Sequence, residues 1–464
     1  MKTDLSQGPV LRKVLAFGLP LALAMASQAL FNLVDLLLVG KLGEDALAGV
    51  HLGSTLNFFP MILGNGISVG AVALVGQALG RHREEEARDL ANLSFLLMCI
   101  AGVVLGFLGW WIAEPSVWFL EARGESLHLG THYLEIMSLG TVTMFGLMHF
   151  TGILRAAGNA FWTVVILVGT NALNILLDVL LIFGYQPLGI PACGVAGAAW
   201  ATVSARGLGC VLCWWILSRK GSPLRPGLQL PRPIGRELRR MSEIGIFQTI
   251  QMLARAALVL SITLIGGALI GPAAHGALSI AIRLDTLVLF AGVGWASAAT
   301  AMVAQTSARG NLRRCLQISR VTALISGGLS LMIGLVFYFW SGPIFRLFDP
   351  HPSPALMETG RQYFAYLAFA YPAATASLVL AGSLNGVGKS FLPMMLDLIF
   401  FGVLLQTALF VWYWTGAPGG LAVCWFLILL FSWLLLLAYL WALRKPDLMR
   451  SRFGRGLPVV DLQS

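Results

Sequence analysis

The sequence predicts an all-α membrane protein of twelve transmembrane helices, arranged as two parallel repeats of six. Three observations carry that expectation. The 464-residue chain is 57% hydrophobic and 11% charged, with a mean hydropathy of +0.80; no soluble domain of that length covers so much apolar surface with so few charges. Windows of about 20 apolar residues, the length that spans a bilayer as a helix, recur twelve times. The second half of the chain also repeats the first at a nearly constant offset.

The windows fall at 14–39, 46–77, 90–113, 131–153, 162–185, 194–218, 243–270, 274–306, 316–340, 360–384, 391–414 and 419–443. Ahead of the first stand Arg12 and Lys13, and Ala24-Met25-Ala26 inside it looks like a signal-peptidase site. The apolar run continues to Val39, so a retained first membrane helix is expected, with a kink invited by Pro20. The second and eighth windows are long enough to tilt or to project beyond the bilayer. Glu84-Glu85-Glu86 reads as a solvated loop before the third. Ser218–Ser242, with Pro223, Pro226, Pro231 and Pro233, is the one extended polar linker. The expected division is therefore an N-terminal lobe at 1–220, a linker at 221–242, a C-terminal lobe at 243–445 and a tail at 446–464.

Of the 31 Lys and Arg residues, 24 fall on one side of this layout and four (Lys41, Arg123, Arg346, Arg361) on the other. Arg206, Arg255 and Arg283 lie within spans. By the positive-inside rule, both termini are cytoplasmic and the host membrane is the cell inner membrane. The net charge of +10 thus reads as membrane orientation, and nucleic acid is not an expected partner. Cys210 and Cys213 have C-x-x-C spacing but sit in an apolar helix beside Trp214 and Trp215, without further ligands, so neither metal nor redox chemistry is expected. No G-x-x-x-x-G-K-[ST] occurs, which leaves no sign of ATP-driven pumping.

A shift of 228 residues places Ala73-Leu74-Val75-Gly76-Gln77 on Ala301-Met302-Val303-Ala304-Gln305, and Gly43 on Gly271. From the fourth window the shift is 230, placing Tyr133 on Tyr363, Leu154 on Leu384, Gly158 on Gly388 and Phe161 on Phe391. Several matches with one small drift imply a duplicated unit. Six crossings per unit start both copies on the same membrane side, so the repeats are parallel, and lobes of this kind can rock about a cleft.

The polar residues inside the spans are unevenly shared. Asn171, Asn174 and Asp178 sit at i, i+3 and i+7, within roughly 60° of one another on one helix face. Gln28, Asn32 and Asp35 form a similar stripe in the first span. The repeat offsets put Thr263 opposite Asp35, Leu404 opposite Asn174 and Ala408 opposite Asp178, so the N-terminal half holds two acids that its copy lacks. An acid at the bilayer centre costs about 2.5–3.5 kcal/mol on insertion scales and generally faces a protein-lined or wet cavity. Asp35, Asn171, Asn174, Asp178 and Thr202 are accordingly the candidate site for a proton or a monovalent cation, with Na⁺ at Asp35 and Asp178 as the metal alternative. Gln28, Asn32, Gln248, Gln251, Arg255 and Asp285 are candidates for a substrate cavity. Structural ion pairing is the competing role for Arg206, Arg255, Arg283, Asp285 and Asp397. His149 reads as a packed histidine.

The motifs Pro20…Asn32-Leu-Val-Asp35…Gly40-Lys-Leu-Gly43, Val75-Gly76-Gln77-Ala-Leu-Gly80 and Leu154-Arg155-Ala-Ala-Gly158-Asn159 resemble those of the MATE (multidrug and toxic compound extrusion) transporters. So do Asn171…Asn174…Asp178 and Gly194-Val-Ala-Gly197-Ala-Ala-Trp-Ala-Thr202. The resemblance runs through all twelve spans and is nearer to the DinF-like branch than to the branch with acids in the seventh helix. It implies a MATE/MOP-like fold and export of amphipathic drugs or metabolites in antiport with H⁺ or Na⁺, without a cofactor, by a monomer in contact with membrane lipid. It also implies that Asp35, Asn174, Asp178 and Thr202 form the ion network, with Asn171 on the same face. Arg255 and Asp285 depart from the family pattern and unsettle its preference for cationic drugs. A lipid-linked precursor flippase of the same superfamily is the alternative; a membrane-embedded enzyme lacks any nucleophile–base pair or metal cluster to support it.

Overall fold

In the computed structural model, the chain is described at residues 5, 7–120, 122–219, 224–227, 229–269, 272–348, 351–416 and 420–451. Side chains at 188, 259–260, 262–269, 272–276 and 446 are outside that description. Lys2, Lys220, Arg452, Arg455, the side chain of Thr263 and most of the expected tail therefore lie outside the described residues.

The helices in order are α1 (Val10–Gly40), α2 (Glu44–Gly80), α3 (Glu84–Trp111), α4 (Ala113–Phe119), α5 (Gly124–Leu139), α6 (Thr141–Ala156), α7 (Ala160–Phe183) and α8 (Gly194–Ser218). The second half holds α9 (Ile234–Leu269), α10 (Pro272–Ser307), α11 (Leu312–Phe339), α12 (Ser341–Phe348), α13 (Pro354–Gly386), α14 (Phe391–Asp397), α15 (Leu405–Thr415) and α16 (Gly420–Ala442). Between α14 and α15 the helix continues through one π-helical stretch, Leu398–Leu404. Among the described residues there is no strand, only an isolated bridge between Tyr185 and Ile190. Among the described residues ten helical spans are long and apolar enough to cross a membrane, and the bent pair α5–α6 makes an eleventh. The expected seventh window, 243–270, falls on α9.

Glu84, Glu85 and Glu86 are not a loop but the first turn of α3. Carboxylates there offset the positive end of the helix dipole, and Arg83 Nη1 donates to Glu86 Oε2 at 3.2 Å. The fourth window also departs from expectation, because α5 and α6 meet at 47°. At their junction, a Cβ on Gly140 would overlap the Val203 side chain of α8. Bare backbone lets α8 approach there, and it marks where the span breaks.

The duplication survives in the turns. Gly158 and Gly388, 230 positions apart, both take left-handed φ, at 77° and 82°. Each closes its helix with the same pair of bonds: Gly158 N to Arg155 O and Asn159 N to Leu154 O, then Gly388 N to Asn385 O and Lys389 N to Leu384 O. His82 and Gly310, 228 apart, share positive φ as well.

The chain forms two compact units. The first is Met1–Asp4 with Ser27–Ile246, the second Leu5–Ala26 with Phe247–Ser464. This differs from the expected 1–220 and 243–445 in two places. Leu5–Ala26 groups with the second unit because Gly18 accommodates Trp295 and a Cβ on Gly294 would stand 2.5 Å from Ala22 Cα. The linker and the start of α9 group with the first unit. There, Asn92 Nδ2 donates to Gln229 O at 2.9 Å, Asn92 Oδ1 accepts from Gly227 N at 3.1 Å, and Gly245 packs on the Gly66 backbone. In the first unit, Val39, Val50, Tyr133, Ile136, Ile182, Val195 and Ala198 make an apolar core joining α1, α2, α5, α7 and α8.

Gly140→Ala should lower stability by about 1–3 kcal/mol through overpacking, measured by thermal unfolding in detergent. Adding Val203→Ala should restore most of the loss; unchanged unfolding in the single variant would count against this account of the junction.

Candidate functional site

In the first unit, the polar residues of α1, α7 and α8 meet. Asp178 is fully buried and accepts at Oδ1 from Asn174 Nδ2, 3.3 Å away. The same amide nitrogen donates to Thr202 Oγ1 at 3.3 Å, and Thr202 donates to Ala198 O one turn back on α8. The Asp35 carboxyl lies within hydrogen-bonding reach of Asp178. Asp35 Oδ1 and Asp178 Oδ2 have no donor from the protein. Two ionised carboxylates are acceptors only, so their contact becomes a hydrogen bond when one of the pair holds a proton. The Arg206 guanidinium of α8 acts on Asp35, and the Tyr133 phenol of α5, in contact with Ser54 at 3.4 Å, lies near both acids.

The spacing explains this convergence. Asn174 and Asp178 are one turn apart on α7, and Thr202 and Arg206 one turn apart on α8, so each helix presents two polar groups on one stripe. Asn171 is buried on α7, but its Nδ2 has no partner and it joins none of these bonds. Gln28 donates to Asn32 at 3.2 Å along α1, away from the acid pair's bonds.

The second unit holds three separate polar groups where the sequence offered one list of cavity candidates. Asp397, fully buried at the end of α14, accepts from Arg255 Nε at 2.5 Å, Gln251 Nε2 at 2.8 Å and Tyr439 OH at 3.0 Å. Arg255 also donates to Ser377 Oγ at 3.4 Å and lies over the Phe401 ring. Gln248 accepts from Asn385 Nδ2 at 2.5 Å. Asp285 accepts from the hydroxyls of both Tyr363 and Tyr371. Arg283, two residues away on α10, is exposed and does not pair with it. Sequence reasoning missed the tyrosines, although the 230-residue offset that pairs Tyr133 with Tyr363 was a signal for one of them.

The oxygen donors at Asp35, Asp178, Asn174 and Thr202 are hard ligands of the kind a monovalent cation takes. The same oxygens can carry a proton. Nothing in the arrangement resembles a nucleophile with its base.

A family model described as MatE matches the chain twice, over residues 20–180 and 249–411. The chain belongs to the MatE family. The two MatE matches fall one on each half, as a duplicated unit requires. Among curated relatives, the chain is 26% identical over 394 residues to a probable multidrug resistance protein NorM of Thermotoga maritima, covering 84% of this chain and 83% of that one. It is 25% identical to a probable multidrug resistance protein YpnP of Bacillus subtilis, covering 90% and 92%. Its fold is similar to the crystal structure of MATE in complex with MaD3S, with a TM-score of 0.88 at 19% identity, over 97% of this chain and all of that one. MatE proteins are transporters, so this chain is a multi-pass membrane transporter and not an enzyme.

Removing one member of the buried pair leaves the other charge uncompensated. Arg255→Ala should therefore destabilise the protein by about 3–5 kcal/mol. The double replacement Arg255→Met with Asp397→Leu should recover most of that loss. Detergent unfolding curves of the three proteins check it; equal losses in the single and double variants would contradict it.

Proposed function

We propose that this MatE-family protein is a secondary active exporter of amphipathic organic compounds, working by alternating access in antiport with H⁺ or Na⁺. The observation that carries the reading is the meeting of Asp35 and Asp178 beside Asn174 and Thr202. A pair that shares one proton, or surrounds one small cation, has a contact geometry that depends on occupancy. Loading it changes what α1, α7 and α8 hold in common. Antiport further requires that the ion bind the two access states with different affinity, each tenfold difference being worth about 1.4 kcal/mol.

The substrate class follows from family membership and from relatives bearing multidrug resistance names. Arg255 on α9, with Gln251 beside it, supports the DinF-like branch over the branch with acids in the seventh helix. Both acids come from one chain, so a monomer suffices. The excess of Lys and Arg on one side supports an inner-membrane orientation with cytoplasmic termini.

Asp35→Asn should abolish export in a drug-sensitive host while leaving expression and monodispersity intact; retained resistance would refute the coupling role. In proteoliposomes, imposed H⁺ and Na⁺ gradients, applied separately, should reveal one that drives drug movement. Drive by neither would end the antiport reading, and rescue of a strain lacking its lipid-precursor flippase would replace it.

A further inference from the structure

Asp285 is a half-buried acid inside a span of the second unit that the coupling reading does not use and that no cation holds among the described residues. Its partners are two phenols of α13: Tyr363 donates to Oδ2 and Tyr371 to Oδ1. Of the helices packed on α10, which include α1, α11, α12 and α13, only α13 supplies groups that act on it, and these are the same two hydroxyls. The contrast with Asp397 is chemical. There a guanidinium satisfies the carboxylate permanently; here only neutral donors do.

Counting hydrogens gives the consequence. Ionised Asp285 accepts one charge-assisted O–H bond at each oxygen. Protonation removes the charge and turns one of those oxygens into a hydroxyl, a poorer acceptor with a hydrogen of its own to place, so the bonds to the phenols weaken. Asp35 and Asp178 follow the opposite rule, because their contact lacks a hydrogen until a proton arrives.

The surroundings of the phenols give that weakening a mechanical target. Tyr371 immediately precedes Pro372, inside α13. Proline has no N–H to return to the carbonyl of Ala368, so the helix has lost a bond at that turn. The corresponding place in the first unit, two residues from the position matching Pro372, is Gly140, where α5 and α6 break by 47°. The hydroxyl of Tyr133, the repeat counterpart of Tyr363, accepts a hydrogen bond from Ser54 Oγ of α2 at 3.4 Å. In the second unit the matching tyrosine donates to an acid on α10 instead of accepting from a serine, and α13 runs on as one helix. Tyr363 is fixed in turn by an edge-on contact with Trp425 of α16, ring centroids 4.7 Å apart.

We infer that Asp285 with Tyr363 and Tyr371 is a second proton-binding site, whose protonation loosens the attachment of α13 to α10 beside Pro372. The site takes a proton in preference to a metal ion because it has a single carboxyl whose two oxygens already face hydroxyl hydrogens, leaving no set of converging lone pairs. The bookkeeping is one proton taken from water by the carboxylate and two phenol hydrogen bonds weakened, with no other covalent bond changed.

Infrared difference spectroscopy of the full-length protein, with pH as the variable, tests this. The background is Asp35→Asn with Asp178→Asn, which removes the first-unit pair. That background should retain a reversible carboxylic-acid band that disappears when Asp285→Asn is added. In the same background, Tyr363→Phe with Tyr371→Phe keeps the acid but removes its donors. The band should then titrate at higher pH, by about one unit or more, because charge-assisted bonds to the ionised form are lost. No titrating band in the background, its survival in Asp285→Asn, or an unmoved midpoint in the phenylalanine variant would overturn the inference. None of these outcomes bears on drug export by Asp35→Asn, so the coupling reading stands or falls separately.

Discussion

A carboxyl group surrounded by hydrocarbon has to be answered by something, and this transporter answers three of them differently. Asp178 meets another acid and an amide, Asp397 meets a guanidinium, and Asp285 meets two phenols. Each answer fixes what the group can do. A guanidinium partner neutralises the charge in place and makes the pair structural, since parting the two would leave bare charge in a medium that solvates it poorly. An acid partner and a phenol partner leave the charge state open, so protons or small cations can alter local geometry.

The two halves share turns and helix lengths and differ in their polar content. α3 and α11 have equal length and begin 228 residues apart, and the helix ends at Gly158 and Gly388 use the same bonds. Turn geometry is tied to backbone conformations that few sequences satisfy, so it persists. Buried polar side chains are constrained instead by their immediate neighbours and can drift once a neighbour changes. His82 shows the limit of that persistence: it keeps the positive φ that its counterpart Gly310 adopts without steric cost.

Much of this was legible beforehand. Apolar windows located the spans, and i, i+4 spacing put Asn174 with Asp178 and Thr202 with Arg206 on common stripes. The grouping of Leu5–Ala26 with the second unit was not legible, because it depends on glycine–tryptophan and glycine–backbone contacts such as Gly18 with Trp295. The break at Gly140 and the π-helical stretch after Asp397 were likewise hidden. Both lie beside partners distant in sequence: Val203 packs on Gly140, and at the π-helical stretch Ser261 donates to Gln406, which itself donates to Phe401 O. Tyr363 and Tyr371 escaped notice because an aromatic ring in an apolar helix looks like core or lipid contact until its hydroxyl is seen to reach an acid.

Asn174 uses a single nitrogen to reach both Asp178 and Thr202. An amide with both hydrogens engaged has only its oxygen left to offer. A visitor approaching that side of the residue finds electron pairs and no donor, a surface that discriminates by sign before size or shape comes into play.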